Sequence, residues 1–486
     1  MTGLEYQSLR ELAAALASRQ VSAAELTELS IARIGKYDRA LNAVVVKTYD
    51  AAREEARKAD AALARGESRP LLGVPMTVKE AFNVAGLPTT WGEPSQRDWI
   101  AKEDAVAVQR LRAAGAIILG KTNVPIHLAD WQSYNDIYGA TANPWDLSRS
   151  PGGSSGGSAA ALAAGYVPLE LGSDIGGSLR IPAHFCGVFA HKPTHGLVPL
   201  RGQTPPGLDP LPVSVDFAVA GPMARSAADL SLALDVIAGP DEPEAVAYSL
   251  KLPAPRHTSL QDFRVLVIDT HPAIPIDAAT RKALLDLADR LAESGVKIQY
   301  ASPFLPDLMV MARLYTQLLA SFFGADIPIE AFRRLQDKAA SLPPEGATLD
   351  QSRLRGAVIS HRDWVQADRR RVWLRARWRE FFRHVDIVLC PVSPTPAFPH
   401  DYSPEPRKRT ISIDGVEHPY LEQIQWSGIA TLCGLPATAV PIGCSPEGLP
   451  IGVQLIGPYL EDRTPLALAE LIEHEYGGFS PPPSFE

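Results

Sequence analysis

The chain has 486 residues, more than a single hydrophobic core usually serves, so about two or three domains are the first expectation. With 46% hydrophobic and 21% charged residues, it is apolar enough to fold into a globular protein rather than stay disordered. The net charge of -8 comes without a dense run of lysine and arginine, which argues against a nucleic-acid-binding surface.

The sequence indicates neither a metal site nor a membrane segment. The cysteines Cys186, Cys390, Cys433 and Cys444 are scattered and form no CxxC pair and no cysteine–histidine cluster at zinc spacing. This pattern predicts buried free thiols, no metal or other cofactor, and a reducing, cytoplasmic location. The N-terminus lacks the basic start and apolar block of a signal peptide, and no uncharged apolar run reaches the roughly 18 residues of a membrane helix.

Residues 1–65 predict an N-terminal helical segment that packs on the rest of the chain. Leucines recur at helical spacing near the start. Ser22 and Glu25 fit a capping box for a second helix to about residue 36, and a third, charged helix is expected over 49–65.

From residue 66 onward, apolar runs that predict strands alternate with amphipathic runs that predict helices. This order favours an α/β fold with a mixed, largely parallel central sheet covered by helices on both faces. One expected strand ends at Lys79, and the others cover 116–120, 167–173, 264–269, 296–301, 385–391 and 449–457. The expected helices cover 104–115, 224–239, 276–294 and 463–475.

The chain divides into four segments on this pattern. After residues 1–65, the segment 66–240 forms a core with the catalytic candidates, and 385–486 returns to the same core. The segment 241–384 continues the alternation and carries a helical insertion or cap at about 305–380, interrupted at 341–348. A proline-rich loop is expected at 205–216.

Two glycine–serine turns stand out, SPGGSSGGSAAALAAG at 150–165 and LGSDIGGSLRIPAHFCG at 171–187. Each precedes a predicted helix, and glycine there lets backbone N–H groups approach and converge on a negatively charged atom. A phosphate-binding loop would need GxxxxGK[ST] or GxGxxG, and neither pattern is present. The turns alone fit tight structural turns as well as a catalytic site.

The turns and their surroundings resemble the amidase signature family. The resemblance extends to GVPMTVKEAFNVAG (73–86), GAIILGKTNVP (115–125), YGATANPWDLSRSPGG (138–153) and GLPATAVPIG with GLPIGVQLIGP (434–458). It covers about residues 70–240 and 385–475, and the long composite motif is highly specific.

The resemblance implies a catalytic triad of Ser178, Ser154 and Lys79. Ser178 would attack the carbonyl, and Ser154 would relay protons to and from an uncharged Lys79. Free lysine has a pKa of about 10.4, so burial at the end of the strand GVPMTV must lower the pKa of this amine. His184 and His191 lie nearby but no Ser-His-Asp pattern or GxSxG elbow accompanies them.

The resemblance also assigns the residues around the triad. Backbone N–H groups of Ile175, Gly176, Gly177 and Ser178 would form the oxyanion hole. The peptide before Ser154 would be cis. Asp174, Arg180 and Ser155 would support the two turns, with a purely structural ion pair as the alternative for the first two.

By analogy with the family, the substrate pocket is expected around 123–139. The candidates are Leu128, Trp131, Tyr134 and, from a later segment, Trp426. Their apolar and aromatic character favours a neutral aliphatic or aryl substrate, whereas the alternative is that they are ordinary core residues.

The expected function is hydrolysis of small or medium amides by a stand-alone amidase through an acyl-enzyme, with esters and carbamates as further substrates. One alternative is the catalytic subunit of a glutamine-dependent amidotransferase, although Ile181 stands where that subunit commonly has glutamine. Another is an inactive binding protein on the amidase scaffold. The expected partner is a small-molecule amide, with neither nucleic acid nor membrane, and the oligomeric state is open, a homodimer included.

Overall fold

The computed structural model describes residues 3–210, 212, 215–343 and 348–485. The strands are β1 (Val44–Lys47), β2 (Pro75–Lys79), β3 (Ile117–Thr122), β4 (Tyr134–Asn135), β5 (Gly139–Ala140), β6 (Leu169–Asp174), β7 (Phe189–Lys192), β8 (Val219–Ala224), β9 (Arg264–Val267), β10 (Lys297–Gln299), β11 (Ile387–Pro391), β12 (Thr410–Ile413), β13 (Val416–Pro419), β14 (Ala437–Cys444) and β15 (Pro450–Ile456).

The helices are α1 (Leu9–Ala17), α2 (Ala23–Leu41), α3 (Tyr49–Ala64), α4 (Val106–Ala113), α5 (Gly156–Ala163), α6 (Arg180–Cys186), α7 (Ala227–Ile237), α8 (Glu242–Ala245), α9 (Ala278–Glu293), α10 (Leu308–Gly324), α11 (Ile329–Ala340), α12 (Leu349–Ala357), α13 (His361–Phe381), α14 (Ile424–Thr431) and α15 (Arg463–Tyr476).

A central sheet of eleven strands organises the described residues, in the order β1-β3-β2-β6-β8-β7-β14-β15-β11-β9-β10. All residues of β2, β3 and β6 are buried, so both faces of the sheet are covered there. The mixed α/β class is confirmed. Strands from all four sequence segments share this one sheet, which joins them around a common core.

The sheet contains more antiparallel pairing than the alternating pattern predicted. Four neighbouring pairs are parallel and six are antiparallel. Four of the six antiparallel pairs involve β7, β8 or β14, which the sequence pattern did not reveal as strands. The β14–β15 hairpin is antiparallel because its short connection cannot reach a parallel arrangement.

Local signals predicted several helix starts. The capping box of Ser22 and Glu25 is present, and the helix it begins runs to Leu41. The segment predicted as a helical insertion contains α10 to α13, as expected. The predicted interruption at 341–348 and the proline-rich loop at 205–216 lie partly outside the described residues.

The cysteines and the long helices bear on two further sequence expectations. All four cysteines are free. Three are buried as expected, whereas Cys444 is exposed because it lies at the end of β14, where that strand leaves the core. Within the described part of the chain, no helix combines the length and apolar character needed to cross a membrane.

Candidate active site

The site forms where two neighbouring parallel strands end. β2 ends at Lys79 and pairs in parallel with β6, which ends at Asp174. Parallel strands end at the same edge of a sheet, so residues far apart in sequence meet there. The two glycine–serine turns lie at this edge, because α5 begins directly after Ser155 and α6 begins at Arg180.

Lys79 is fully buried and contacts hydroxyl groups. Its Nζ lies 2.7 Å from Ser154 Oγ and 3.0 Å from Ser173 Oγ. Burial lowers the pKa of Lys79 to about 7, although the negative charges of Asp174 and Glu170 oppose this shift. The uncharged form of this amine is therefore far more accessible near neutral pH than that of a lysine in water.

The backbone ties the two turns together. The N–H group of Ser155 donates to the carbonyl of Ser178 at 3.1 Å, and Ser155 Oγ donates to the carbonyl of Ser173 at 3.3 Å. The Gly153–Ser154 peptide is cis, as the resemblance implies. Among the described residues, no direct hydrogen bond joins the hydroxyls of Ser154 and Ser178.

Two side chains fix carbonyl groups in the loop 175–178. The hydroxyl of Tyr315, on α10, donates to the carbonyl of Ile175 at 2.8 Å. Trp131 Nε1 donates to the carbonyl of Gly176 at 2.9 Å. A carbonyl that is held by a donor restrains its whole peptide plane, so these bonds also set the direction of the neighbouring N–H groups.

The same loop offers fewer free N–H groups than predicted. The N–H group of Gly177 donates to Asp174 Oδ1 at 2.8 Å, and it is therefore not available to an oxyanion. In the described part of the chain, the N–H groups of Ile175, Gly176 and Ser178 have no hydrogen-bond partner. Gly177 has a φ of 98°, a conformation that favours glycine.

A buried ion pair holds this loop from behind. Arg180 Nε and Nη2 each donate to Asp174 at 3.0 Å, and both side chains are fully buried. Burial pushes the pKa of Asp174 upward, but the Arg180 guanidinium outweighs burial and holds this pKa at about 2. Because the Asp174 carboxylate also accepts from Gly177 and Leu179, the ion pair is structural and at the same time shapes the loop.

A cavity of about 360 Å³ opens at Ser178. Most of its wall is apolar and is contributed by the segment 128–131, by α10 and by the residues around α14. The carboxyl group of Asp130 and the guanidinium groups of Arg353 and Arg407 also line it. The apolar lining residues include Leu128, Trp131, Leu319, Phe323, Leu421 and Ile424.

The cavity contains two of the four residues expected in the substrate pocket. Leu128 and Trp131 line it, whereas Tyr134 and Trp426 do not. The Tyr134 hydroxyl accepts a hydrogen bond from Arg409 outside the cavity. Trp426 is fully buried and packs beside His271, which fits the alternative of an ordinary core side chain. From the sequence alone, the apolar residues around Trp426 are compatible with both a cavity wall and the core behind it.

The sequence analysis missed the contribution of α10. This helix supplies Tyr315 to the loop and Thr316, Leu319 and Phe323 to the cavity. The segment was recognised as helical, but its periodicity cannot tell which face meets a site formed 140 residues earlier in the chain. A larger cavity of about 430 Å³, beside His195, contains none of the catalytic candidates.

Comparison with protein families and relatives gives a consistent picture. The family model described as Amidase matches residues 25–466. The chain is 33% identical to a glutamyl-tRNA(Gln) amidotransferase subunit from Acidothermus cellulolyticus, over 98% of this chain and 95% of the relative. It is 34% identical to an indoleacetamide hydrolase from Bradyrhizobium diazoefficiens, over 96% of this chain and 86% of the relative.

Solved structures with the same fold include two informative examples. One is a chain from an inhibitor-bound "vestigial protein complex" connected with the origins of an s-triazine catabolic enzyme. It has a TM-score of 0.80 and 31% identity, and the match covers 96% of this chain and 98% of that one. A bacterial aryl acylamidase of the amidase signature family matches with a TM-score of 0.80 over 97% and 96% of the two chains, but at 24% identity it shows the fold alone.

Proposed function

This chain belongs to the amidase signature family and is a hydrolase of amide carbon–nitrogen bonds, and on that premise we propose that it works through an acyl-enzyme on Ser178. The observation that carries this proposal is the position of Lys79. Its buried Nζ lies 2.7 Å from Ser154 Oγ, on the turn whose backbone is bonded to that of Ser178.

In the first half of the reaction, Ser178 Oγ attacks the amide carbonyl carbon. The Ser178 proton passes to Ser154, which gives its own proton to the uncharged Lys79. The two serine hydroxyls approach each other in the substrate complex, since catalytic hydrogen bonds commonly tighten there. The negative carbonyl oxygen is stabilised by the free N–H groups of Ile175, Gly176 and Ser178.

The second half of the reaction returns the protons. The Lys79 ammonium and Ser154 protonate the leaving nitrogen, the carbon–nitrogen bond breaks, and the acyl group stays on Ser178. A water molecule then gives a proton to the same relay and attacks the ester carbonyl. The bond from the acyl carbon to Ser178 Oγ breaks, the relay returns the proton to Ser178, and the carboxylic acid is released. Protonation of the nitrogen is essential because an amide anion is a very poor leaving group.

The cavity favours small to medium neutral amides with an aliphatic or aryl acyl group. Its volume of about 360 Å³ and its apolar lining suit such a group next to Ser178. The relative named indoleacetamide hydrolase supports an aryl amide in particular. Esters and carbamates present a similar carbonyl and are proposed as further substrates.

The test is a panel of amides, anilides, esters and carbamates, run with wild-type enzyme and with Ser178→Ala. We expect Ser178→Ala to lose about 10⁴-fold or more of kcat/KM, since the nucleophile and its relay act as a unit. A fluorophosphonate should label the wild-type enzyme at Ser178 and should not label Ser178→Ala. The control variant is Ser148→Ala, on an exposed turn, which should be labelled like the wild type. Full activity of Ser178→Ala would refute the proposal, and an unlabelled, inactive wild type would favour a binding protein.

A second candidate is the catalytic subunit of an amidotransferase. It is favoured by the relative from Acidothermus cellulolyticus, which is named as part of a glutamyl-tRNA(Gln) amidotransferase and matches over almost the whole chain. That function predicts glutaminase activity that depends on a copurifying partner, whereas a stand-alone amidase is active when pure. The free thiols support a cytoplasmic location for either candidate.

A further inference from the structure

One acid, Asp130, lies in the wall of the cavity at Ser178, and its carboxylate is already engaged by the protein. Its Oδ2 accepts a hydrogen bond from Arg409 Nη1 at 2.6 Å, and its Oδ1 accepts one from the Tyr420 hydroxyl, also at 2.6 Å. The side chains of Asp130 and Arg409 are only 7% and 1% exposed. The backbone N–H group of Trp131 also donates to Oδ1, at 2.7 Å. No step of the proposed reaction uses this carboxylate.

The two side chains that bond Asp130 come from the two ends of one hairpin. Arg409 directly precedes β12, and Tyr420 directly follows β13, the antiparallel partner of β12. The N–H group of Tyr420 donates to the carbonyl of Arg409 at 3.1 Å, which brings the two ends together. A single carboxylate therefore closes the base of the hairpin and ties it to the cavity wall. Buried, charge-assisted hydrogen bonds of this kind fix geometry more firmly than neutral ones.

Trp131 connects this cluster to the loop 175–178. The ring of Tyr420 packs edge-on against the indole of Trp131, with 5.4 Å between the ring centroids. On its other side the indole donates through Nε1 to the carbonyl of Gly176 at 2.9 Å. The position of the indole is thus set by Asp130 at its backbone and by Tyr420 at its ring.

The peptide between Gly176 and Gly177 is held at both of its polar groups. Its carbonyl accepts from Trp131, and its N–H group donates to Asp174 at 2.8 Å. This planar unit lies in the chain between the free N–H groups of Gly176 and Ser178, so its orientation determines how these two donors converge. Donors to an oxyanion must be held in place before charge develops.

We propose that Asp130 is a positioning residue, which together with Arg409 and Tyr420 holds the Trp131 indole against the carbonyl of Gly176. Asp130 acts through Trp131 and takes no part in proton transfer. The hairpin β12–β13 is in this way connected to the oxyanion donors. The inference rests on the role proposed above for these donors in an acyl-enzyme reaction at Ser178.

Tyr420→Phe is the mildest test, because it removes the hydroxyl and keeps the ring that packs against Trp131. Loss of one hydrogen bond to the Asp130 carboxylate should lower kcat by about 3- to 10-fold and leave KM nearly unchanged. Steady-state kinetics on a short amide would measure both constants. An unchanged kcat would overturn the proposal.

Asp130→Asn should have a larger effect, since an amide replaces the carboxylate that Arg409 requires. We expect kcat to fall by about 10- to 100-fold, which is less than the loss of an entire oxyanion donor. A rise in KM at constant kcat would instead place Asp130 on the substrate and contradict the positioning role.

Asp241→Asn is the matched control. Asp241 is similarly buried, with its side chain 8% exposed, and it pairs with Arg201 at 2.8 Å, but it does not line the cavity at Ser178. Its replacement should lower Tm and leave kcat unchanged. Equal losses of kcat in Asp130→Asn and Asp241→Asn would mean that general destabilisation explains both, and the proposal would be wrong.

A double-mutant cycle tests whether the effect passes through Trp131. Trp131→Phe lacks the Nε1 donor to Gly176, so the cluster around Asp130 can no longer act on that carbonyl. Adding Tyr420→Phe to Trp131→Phe should therefore lower kcat by less than about 2-fold. A further loss as large as that caused by Tyr420→Phe alone would show that the two residues act independently, against the proposal.

Labelling by a fluorophosphonate separates this inference from the proposed function. A wild type that is not labelled at Ser178 would overturn the acyl-enzyme reaction itself. Normal labelling of the wild type, together with an unchanged kcat in Tyr420→Phe and Asp130→Asn, would overturn the role of Asp130 alone.

Discussion

The catalytic turns and the helices that wall the cavity are packed very differently. Every residue of α5 and α6, the helices that follow the two turns, is buried. In contrast, the end of α10 that walls the cavity is open to solvent, where Ala320 is only partly buried and Phe323 is 47% exposed. The reacting groups therefore lie where packing fixes every position, whereas the substrate wall lies where side chains can change at low cost.

The two regions meet at α10. Tyr315 reaches from this helix into the rigid region and bonds the carbonyl of Ile175. Leu319 lies one helical turn further on and Phe323 two turns further on, and both line the cavity. Variants in the rigid region should therefore change the chemical step, and variants in the wall should change substrate choice.

The largest loss of activity is expected on substitution of Lys79. Because this residue lies in the rigid region, the substitution should change the chemical step rather than substrate choice. Lys79→Met should lower kcat/KM by about 10²- to 10⁴-fold, the usual contribution of a general base. In the wild type the amine must lose its proton to act, so kcat/KM should rise with pH through about 7 and then level off. This acidic limb should be absent from Lys79→Met.

Lys121 provides a matched control for that experiment. It is equally buried, and burial lowers its pKa to about 8, but its Nζ donates to Thr89 rather than to a serine of the site. Lys121→Met should retain the acidic limb even if its stability falls. An acidic limb that survives in Lys79→Met would contradict the base role.

An intermediate effect is expected at the junction between the regions. Tyr315→Phe keeps the buried ring but removes the hydroxyl that holds the carbonyl of Ile175 at 2.8 Å. A neutral hydrogen bond contributes about 1 kcal/mol, so kcat should fall by about 5- to 10-fold with KM nearly unchanged. Steady-state kinetics on one anilide would check this, and a rise in KM at constant kcat would instead assign Tyr315 to substrate binding.

The smallest effect is expected in the wall. Phe323→Ala should raise KM for bulky aryl or alkyl amides by about 3- to 10-fold, because part of the apolar contact is lost, and should leave short amides unaffected. Phe322→Ala is the matched control, since its neighbouring ring is similarly exposed but does not line this cavity. Equal changes in the two variants would mean that the wall does not select substrates as proposed.

Sequence reasoning succeeded where the signal was local. The capping box of Ser22 and Glu25 and the burial of Lys79 at the end of an apolar strand could be predicted from short stretches of chain. It failed where side chains meet across the fold. Trp426 has the character of a pocket residue but lies in the core, and Gly177 gives its N–H group to Asp174 rather than to the cavity.

The amino-acid sequence by itself determined the family, the α/β class and the residue types available for the reaction, because these depend on motifs and on the spacing of apolar residues. Only the tertiary structure decided which N–H groups are free, which helix walls the cavity, and that the buried Lys79 amine contacts Ser154. The physical reason is that hydrogen-bond partners and the loss of water around a charged group depend on distances between strands and helices that are remote in the chain.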